Sequence, residues 1–444
     1  MKKVYTKQGI LGKLWLYFSL VFSHESNPTK MHLFDLVLSV LGLNGFHSIK
    51  FNFDHFIAQK CSYSLKSLYY TLSYSKINID CWMLALVRLA LKLLPTNINQ
   101  PIILSIDDTM VEKYGSHFAY RSKLFDHAAH NGTNYLHGHC FVSLLLSIPI
   151  LDNGKERYIH IPVGYRMWTK EKSKLDMAAD LVRKVMEIVD KNQLVCLCCD
   201  SWYPKGAVLN LVEEFSNLAI ICNARIDTAL YTIAERTGKR GRPRIYGDKL
   251  TIDDFALSKI DNLEYCIGYR TVRTHLFGNK DILAIVTQPL NGNNKRLFLC
   301  TMMPEQLHFD LHFLPDTAAS YGKADEMLLP LSIYAVRWHI ETAFYEQKTY
   351  WGLRDYKVRS KQGIERLMNL LTVCYSLMTL VPYLEPAFAS LKEQSAQQTR
   401  FLLGQAIFKQ LFLTSLADKL ENRKKYGFVS DCLKHIAFTI SLVG

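Results

Sequence analysis

The sequence predicts an α/β fold: a mixed β-sheet with flanking helices, and helical regions at both ends of the chain. Three observations predict it. Between about residues 100 and 222, short apolar runs rich in β-branched residues alternate with segments of helical spacing. Three strands with short connections come first, and strand, helix, strand, helix, strand units continue the series, which is the order of a mixed sheet covered by helices. Outside that region, residues 1–96 and 386–444 place apolar side chains mainly at helical intervals.

At 444 residues the chain is long enough for two or three domains. With 49% hydrophobic and 21% charged residues it can bury a sizeable core, which excludes global disorder. Lys and Arg total 53 against 40 Asp and Glu, a net charge of +13. A polyanionic partner is the first expectation from that excess, with an ordinary basic soluble protein as the plainer alternative. The 11 cysteines are odd in number, and the tightest group, Cys196, Cys198 and Cys199, sits in an apolar run. Buried free thiols in a reducing cytosol fit that pattern. A zinc site built from Cys199 with His137, His139 or Cys140 has no ligand pattern behind it. The basic start Met1-Lys2-Lys3 and the apolar stretch Ile10–Phe22 imitate a signal peptide, but Lys13 interrupts the stretch and no small-residue cleavage site follows. The apolar run Leu367–Val381 contains Asn369, Thr372, Ser376 and Thr379 and ends at Pro382, which reads as too short and too polar to span a membrane. A soluble, cytoplasmic protein is expected.

Residues 1–96 read as a helical N-terminal domain, exemplified by the spacing in Met31–Leu41 and Cys81–Leu94, with Pro95 as a stop. Residues 97–223 read as the first part of a core. Ile102–Ile106 is a strand ending in Asp107-Asp108, His139–Ile150 a second, and Arg157–Val163 a third after the turn Asp152-Asn153-Gly154. Leu175–Val189 has helical spacing, Leu194–Cys199 is a buried strand ending in Asp200, Pro204–Phe215 is a helix, and Leu218–Cys222 is a strand. Carboxylates at the C-terminal ends of strands are where open α/β sheets carry their chemistry. Residues 224–322 read as a β-rich insertion, with strands at Tyr265–Thr274, Ile282–Val286 and Arg296–Cys300 and a basic loop at 237–247. Residues 323–385 complete the core, with a helix from near Ala324 to about Tyr350 and another over Ile364–Val381. Residues 386–444 form a helical C-terminal region.

Four residues of the helix near 324–350 stand out. Tyr334, Arg337, Glu341 and Lys348 are offset by 0, 3, 7 and 14 positions. At roughly 100° per residue they share one stripe about 60° wide, while Val336, Ile340, Ala343 and Phe344 lie opposite and can pack on a sheet. A solvated amphipathic face is the usual fate of such a stripe. One acid flanked by two bases and a tyrosine also suits an acid that holds a metal beside cations that hold a nucleic-acid backbone.

The spacing Y-x2-R-x3-E-x6-K over Tyr334–Lys348 resembles the signature of DDE transposases of bacterial insertion sequences, in the branch called the insertion-sequence-four type. Ile106-Asp107-Asp108-Thr109 and Cys199-Asp200-Ser201-Trp202-Tyr203 are similar to the first and second aspartate motifs of that family, although the large Trp202 departs from the small residue often found there. The strand order resembles its ribonuclease H-like core, and the β-rich segment before the glutamate helix resembles its insertion. The resemblance covers roughly residues 100–365. It implies Asp108, which precedes threonine as the family pattern has it, with Asp200 and Glu341 as catalytic and metal-holding acids. Asp107 is then a neighbour, placed on the opposite strand face by alternation.

From the resemblance follow two Mg²⁺ (or Mn²⁺) ions as cofactor, contacts of Tyr334, Arg337 and Lys348 with DNA, and double-stranded DNA as partner, as transposon inverted repeats and as target. A homodimer in the DNA complex, DNA-end binding by residues 1–96, and no membrane are also implied. The reaction would be cut-and-paste transposition. A ribonuclease H-like DNA nuclease without strand transfer, or a transposase-derived DNA-binding protein, stand as alternatives. The loop Arg240-Gly241-Arg242-Pro243-Arg244 resembles an AT-hook core, suited to a narrow minor groove or to non-specific phosphate attraction. Arg354, Lys357, Arg359 and Lys361, which follow the glutamate helix, could extend the DNA track. His127, His130, His137 and His139 read as loop and core histidines ahead of a metal cluster, and Trp202 and Tyr203 as packing residues or a stacking platform.

Overall fold

The computed structural model describes residues 9–126, 134–235, 242–259, 263–303, 306, 328–421 and 427–439. The N-terminal region folds into α1 (Gly9–Val21), α2 (Asn27–Gly42), α3 (Ile49–His55), α4 (Leu65–Ser73) and α5 (Ile79–Leu93). Capping chemistry sets the starts of two of them: Ser26 and Ser48 accept the backbone N–H groups of Thr29 and Phe51.

The central sheet begins with β1 (Ile102–Glu112), β2 (Ser122–Phe125), β3 (Tyr135–Asp152) and β4 (Lys155–Met167). β3 and β4 form a hairpin whose two turn residues, Asn153 and Gly154, have φ of 52° and 76°, as a type I′ turn requires. Then come α6 (Lys174–Met186), β5 (Val195–Cys199), α7 (Gly206–Glu214) and β6 (Leu218–Ala224). β1 runs antiparallel to β3 and parallel to β5, and β5 parallel to β6. The order β4-β3-β1-β5-β6 is compatible with a ribonuclease H-like arrangement. All five residues of β5 are buried, as befits a parallel strand covered on both faces.

Two expectations change here. β1 does not stop at Asp107-Asp108. Its parallel neighbour ends at the pair Ile106↔Cys199, but the antiparallel ladder with β3 continues to Glu112↔Gly138. Both aspartates therefore lie mid-strand, just beyond the end of β5. The strands after residue 224 also extend the central sheet. β7 (Leu230–Ile233) and β8 (Tyr246–Leu250) form a small ribbon, whereas β9 (Ser258–Lys259), β10 (Tyr265–Val272), β11 (Ile282–Pro289) and β12 (Arg296–Cys300) join the main sheet through β12 paired with β6.

After the sheet come α8 (Leu329–Ala335), α9 (Trp338–Tyr350), α10 (Lys361–Leu384), α11 (Ala396–Glu421) and α12 (Gly427–Thr439). The start expected near Ala324 lies outside the described residues. α8 and α9 are separate helices. Between them, the N–H groups of Val336, Arg337, His339 and Ile340 bond to carbonyls three residues back, so the winding tightens at the junction. α6 and α7 cover one face of the sheet, and α8, α9 and α10 cover the other.

α10 spans 24 residues, longer than the run expected. It is the one described helix long and apolar enough to cross a membrane, and 83% of that window is buried inside the protein. Its polar side chains serve the sheet edge. The Asn369 amide accepts from the Tyr165 N–H and donates to the Tyr165 carbonyl, and the Ser376 hydroxyl donates to the Pro162 carbonyl. These bonds satisfy main-chain groups of β4 that have no strand beside them. One continuous apolar cluster runs from Ile10 in α1 to Ile407 in α11, so both helical ends share the core with the sheet.

Candidate active site

Strand alternation decides which acids meet. Asp107 pairs with Ser143 and Ser143 with Tyr165, so the three share a face of the sheet. On that face the Tyr165 ring lies 6.0 Å from Phe344 of α9, and the Tyr165 hydroxyl accepts from Gln347. Asp107 thus faces the glutamate helix. The Arg337 guanidinium joins them: Nη1 donates to Asp107 Oδ2 at 3.2 Å and Nη2 to Glu341 Oε1 at 2.6 Å. Asp200 follows the last residue of β5, next to Asp107 across the parallel register.

Asp108, the acid to which the resemblance points, does not share that face. Asp108 points to the opposite face, toward α6. There Oδ2 accepts from Lys174 Nζ at 2.8 Å and from the Cys140 thiol at 3.0 Å, and Oδ1 accepts from the Tyr203 hydroxyl at 3.0 Å. Lys174 is the first residue of α6, where a cation opposes the helix dipole. The Asp108 carboxylate compensates for that placement, so its charge is already committed.

The electrostatics follow from burial. Asp107 is pushed up to about 7, first by desolvation and then by the charge of Asp200, against the opposing pull of the Asp108 N–H and of Arg337. Asp200 is raised as well, chiefly by burial, with the Asp108 charge adding to it and the Trp202 N–H and Arg337 opposing. Two acids forced upward beside each other are a recurrent feature of functional sites. Arg337 is held well above its ordinary value by Tyr334, Glu341 and Asp107, although burial acts the other way.

The remaining expected residues are spread out. Tyr334 packs edge-on against Phe298, with ring centroids 5.0 Å apart, and its ring lies 5.6 Å from the Arg337 guanidinium. It lines a cleft of about 820 Å³ with Asp200, Arg296 and Trp338. Lys348 lies two turns beyond Glu341 on α9, and burial lowers its pKa. Arg242 and Arg244 are exposed, as are Arg354, Lys357 and Arg359. Arg240, His127 and His130 lie outside the described residues. His139 is a core residue, bonded to the Tyr356 hydroxyl at 2.6 Å and the Ala119 carbonyl at 2.9 Å.

The far end of α9 is anchored by residues of both helical end regions. Arg400 of α11 donates to the Tyr350 carbonyl and to Asn44 Oδ1, with its guanidinium 4.8 Å from the Trp351 ring. Gly352 has φ of 75°, and a Cβ there would stand 1.8 Å from the Phe46 carbonyl oxygen.

Asp107, Asp200 and Glu341 offer only carboxylate oxygens, a donor set suited to a hard divalent cation. Among the described residues no three His, Cys, Asp or Glu side chains are gathered to hold a metal ion; Arg337 stands between Asp107 and Glu341. The donor chemistry fits such an ion, and the resting arrangement is closed by an internal cation.

Comparison with known families adds an independent line. The family model described as DDE superfamily endonuclease matches residues 62–262. The match supports a DDE-type transposase family and, with it, an enzyme of nuclease or transposase type acting on DNA. It spans less than half of the chain and takes in Asp107, Asp108 and Asp200, but stops before Arg337, Glu341 and Lys348. No curated protein matches the chain.

Proposed function

We propose that the protein is a DDE transposase of the insertion-sequence-four type, which cuts DNA at transposon ends and joins the freed 3′-hydroxyl to target DNA. The observation that carries this reading is the Arg337 bridge between Asp107 and Glu341, beside Asp200, in a chain whose residues 62–262 match a superfamily endonuclease model. We assign the acid trio as Asp107, Asp200 and Glu341, with Asp107 in the place the motif gives to Asp108, because Asp107 is the one that shares a face with Glu341.

Mg²⁺ or Mn²⁺, one ion or a pair, supplies Lewis-acid activation of the phosphodiester and of the attacking oxygen when bound. The trio would hold it. Arg337 neutralises Asp107 and Glu341 in the resting chain, and its planar guanidinium is suited to grip a phosphate at the same place. Lys348 and the exposed arginines of the 242–244 loop would guide the DNA backbone. Binding of inverted repeats as a homodimer, with residues 1–96 contacting the DNA ends, belongs to the same proposal.

Cleavage assays on Asp107→Asn, Asp108→Asn, Asp200→Asn and Glu341→Gln test it. The expected result is loss of cutting in the first, third and fourth, with DNA binding retained, and a milder loss in the second. Full activity in Glu341→Gln would sink the trio. A dead Asp108→Asn beside an active Asp107→Asn would return the role to Asp108. A strand-transfer assay with a pre-cut end separates transposition from simple hydrolysis.

A further inference from the structure

A cleft of about 650 Å³ opens beside the acids, with Asp107, Asp108 and Asp200 among its lining residues. Trp168, which follows β4, and Trp202, which follows β5, both line it. Lys174 Nζ stands between the two indoles, 5.1 Å from one ring centre and 5.2 Å from the other. Lys170 lies 5.8 Å from the Trp168 ring and Lys205 5.4 Å from the Trp202 ring. Lys123 lies 4.2 Å from the Tyr135 ring and lines the cleft as well. Lys174 is spent on Asp108, whereas Lys123, Lys170 and Lys205 form no salt bridge among the described residues.

Two features show that these positions are held rather than incidental. Lys170 has φ of 69°, a left-handed conformation that costs a lysine free energy and that clusters at ligand sites. Trp202 is 44% exposed, yet its backbone is fixed: its N–H donates to Asp200 Oδ1 at 3.1 Å, and its ring packs edge-on against Tyr203 at 5.0 Å. The indole is thus presented to solvent by the same aspartate that belongs to the acid trio.

We propose that this cleft binds an unpaired stretch of DNA strand leading to the acids, with bases stacked on Trp168 and Trp202 and phosphates on Lys123, Lys170 and Lys205. Flat aromatic faces interleaved with unpaired cations are what a single strand needs, because every unstacked base offers a π-face and every linkage a charge. A duplex buries its base faces in its own stack and would leave the two indoles without partners. An acidic peptide would satisfy the lysines and leave the indoles without partners. The inference rests on the nuclease reading for the identity of the polymer, but binding is measurable without any cutting.

The test uses the full chain in EDTA with two fluorescein-labelled probes, a short oligothymidine and a blunt hairpin duplex, followed by anisotropy. Trp202→Ala is expected to weaken oligothymidine binding between about fivefold and a hundredfold and to leave the duplex unchanged. Trp202→Phe should restore most of the loss. Lys170→Ala and Lys205→Ala, which keep both indoles, should each shallow the salt dependence of single-strand binding by about 0.7 in the log–log slope. Equal losses on both probes, or none on oligothymidine, would overturn the assignment. A chain that binds oligothymidine in this way but cuts no DNA with Mg²⁺ refutes the nuclease reading and leaves the cleft standing. A chain that cuts DNA while Trp202→Ala binds oligothymidine normally refutes the cleft alone.

Discussion

Replacing Asp107 with asparagine should stabilise the protein in alkaline solution while destroying its activity. The gap between the ordinary aspartate value of 3.8 and the buried value of about 7 corresponds to about 4 kcal/mol at 1.36 kcal/mol per pKa unit. The sign follows from proton binding. Between about pH 4 and pH 7 the folded chain holds a proton on Asp107 that the unfolded chain has released, so stability falls as pH rises through that window and levels off above it. The Asp107 side chain is 18% exposed, so solvent screening discounts the figure little, and it stands as an upper bound. Asparagine stays neutral at every pH. The variant should therefore gain on the wild type by about 3 kcal/mol between pH 5 and pH 8. Urea unfolding of both proteins at the two pH values, followed by tryptophan fluorescence, measures this. A stability difference that stays constant across the range would refute the argument that burial, with Asp200 beside it, controls Asp107.

Two further outcomes are expected. Gly352→Ala should lower stability by about 2 kcal/mol or more and loosen the glutamate helix, since the added carbon meets the Phe46 carbonyl in a left-handed conformation; thermal melts and cleavage assays check both effects. Lys348→Ala and Arg242→Ala should each shallow the salt dependence of duplex binding by about one unit of slope, and the Arg242 change should weaken A·T-rich ends more than G·C-rich ones if the loop reads a minor groove.

The sheet was legible in the sequence where periodicity is strong. The strand Arg296–Cys300 has the bounds that its apolar run predicts, and the βαβ order from residue 195 to 224 follows from runs that are buried on both sides. The antiparallel pairing of β12 with β6 was not legible, because alternation within a strand says nothing about which edge it joins. Asn369 and Ser376 looked like interruptions of an apolar helix; only the exposed main chain of β4 explains them. Alternation did announce that Asp107 and Asp108 face opposite ways. It could not say on which side the glutamate helix would lie, since that depends on a crossover more than a hundred residues later. The cluster around Asp108 had no local signal at all: Cys140, Lys174 and Tyr203 come from three distant segments.

The bond from Arg337 to Asp107 closes a loop of 230 residues. On a ribosome adding about 5–20 residues per second, residue 337 is made roughly 10 to 50 s after residue 107. Throughout that interval the first two aspartates exist without either the arginine that neutralises them or the glutamate that completes the group. A chain that stops between residues 262 and 341 has the whole segment matched by the superfamily endonuclease model but lacks Glu341. On the acid assignment proposed above, the power to cut DNA arrives only once residue 341 has been made, so fragments abandoned before it carry none of that hazard.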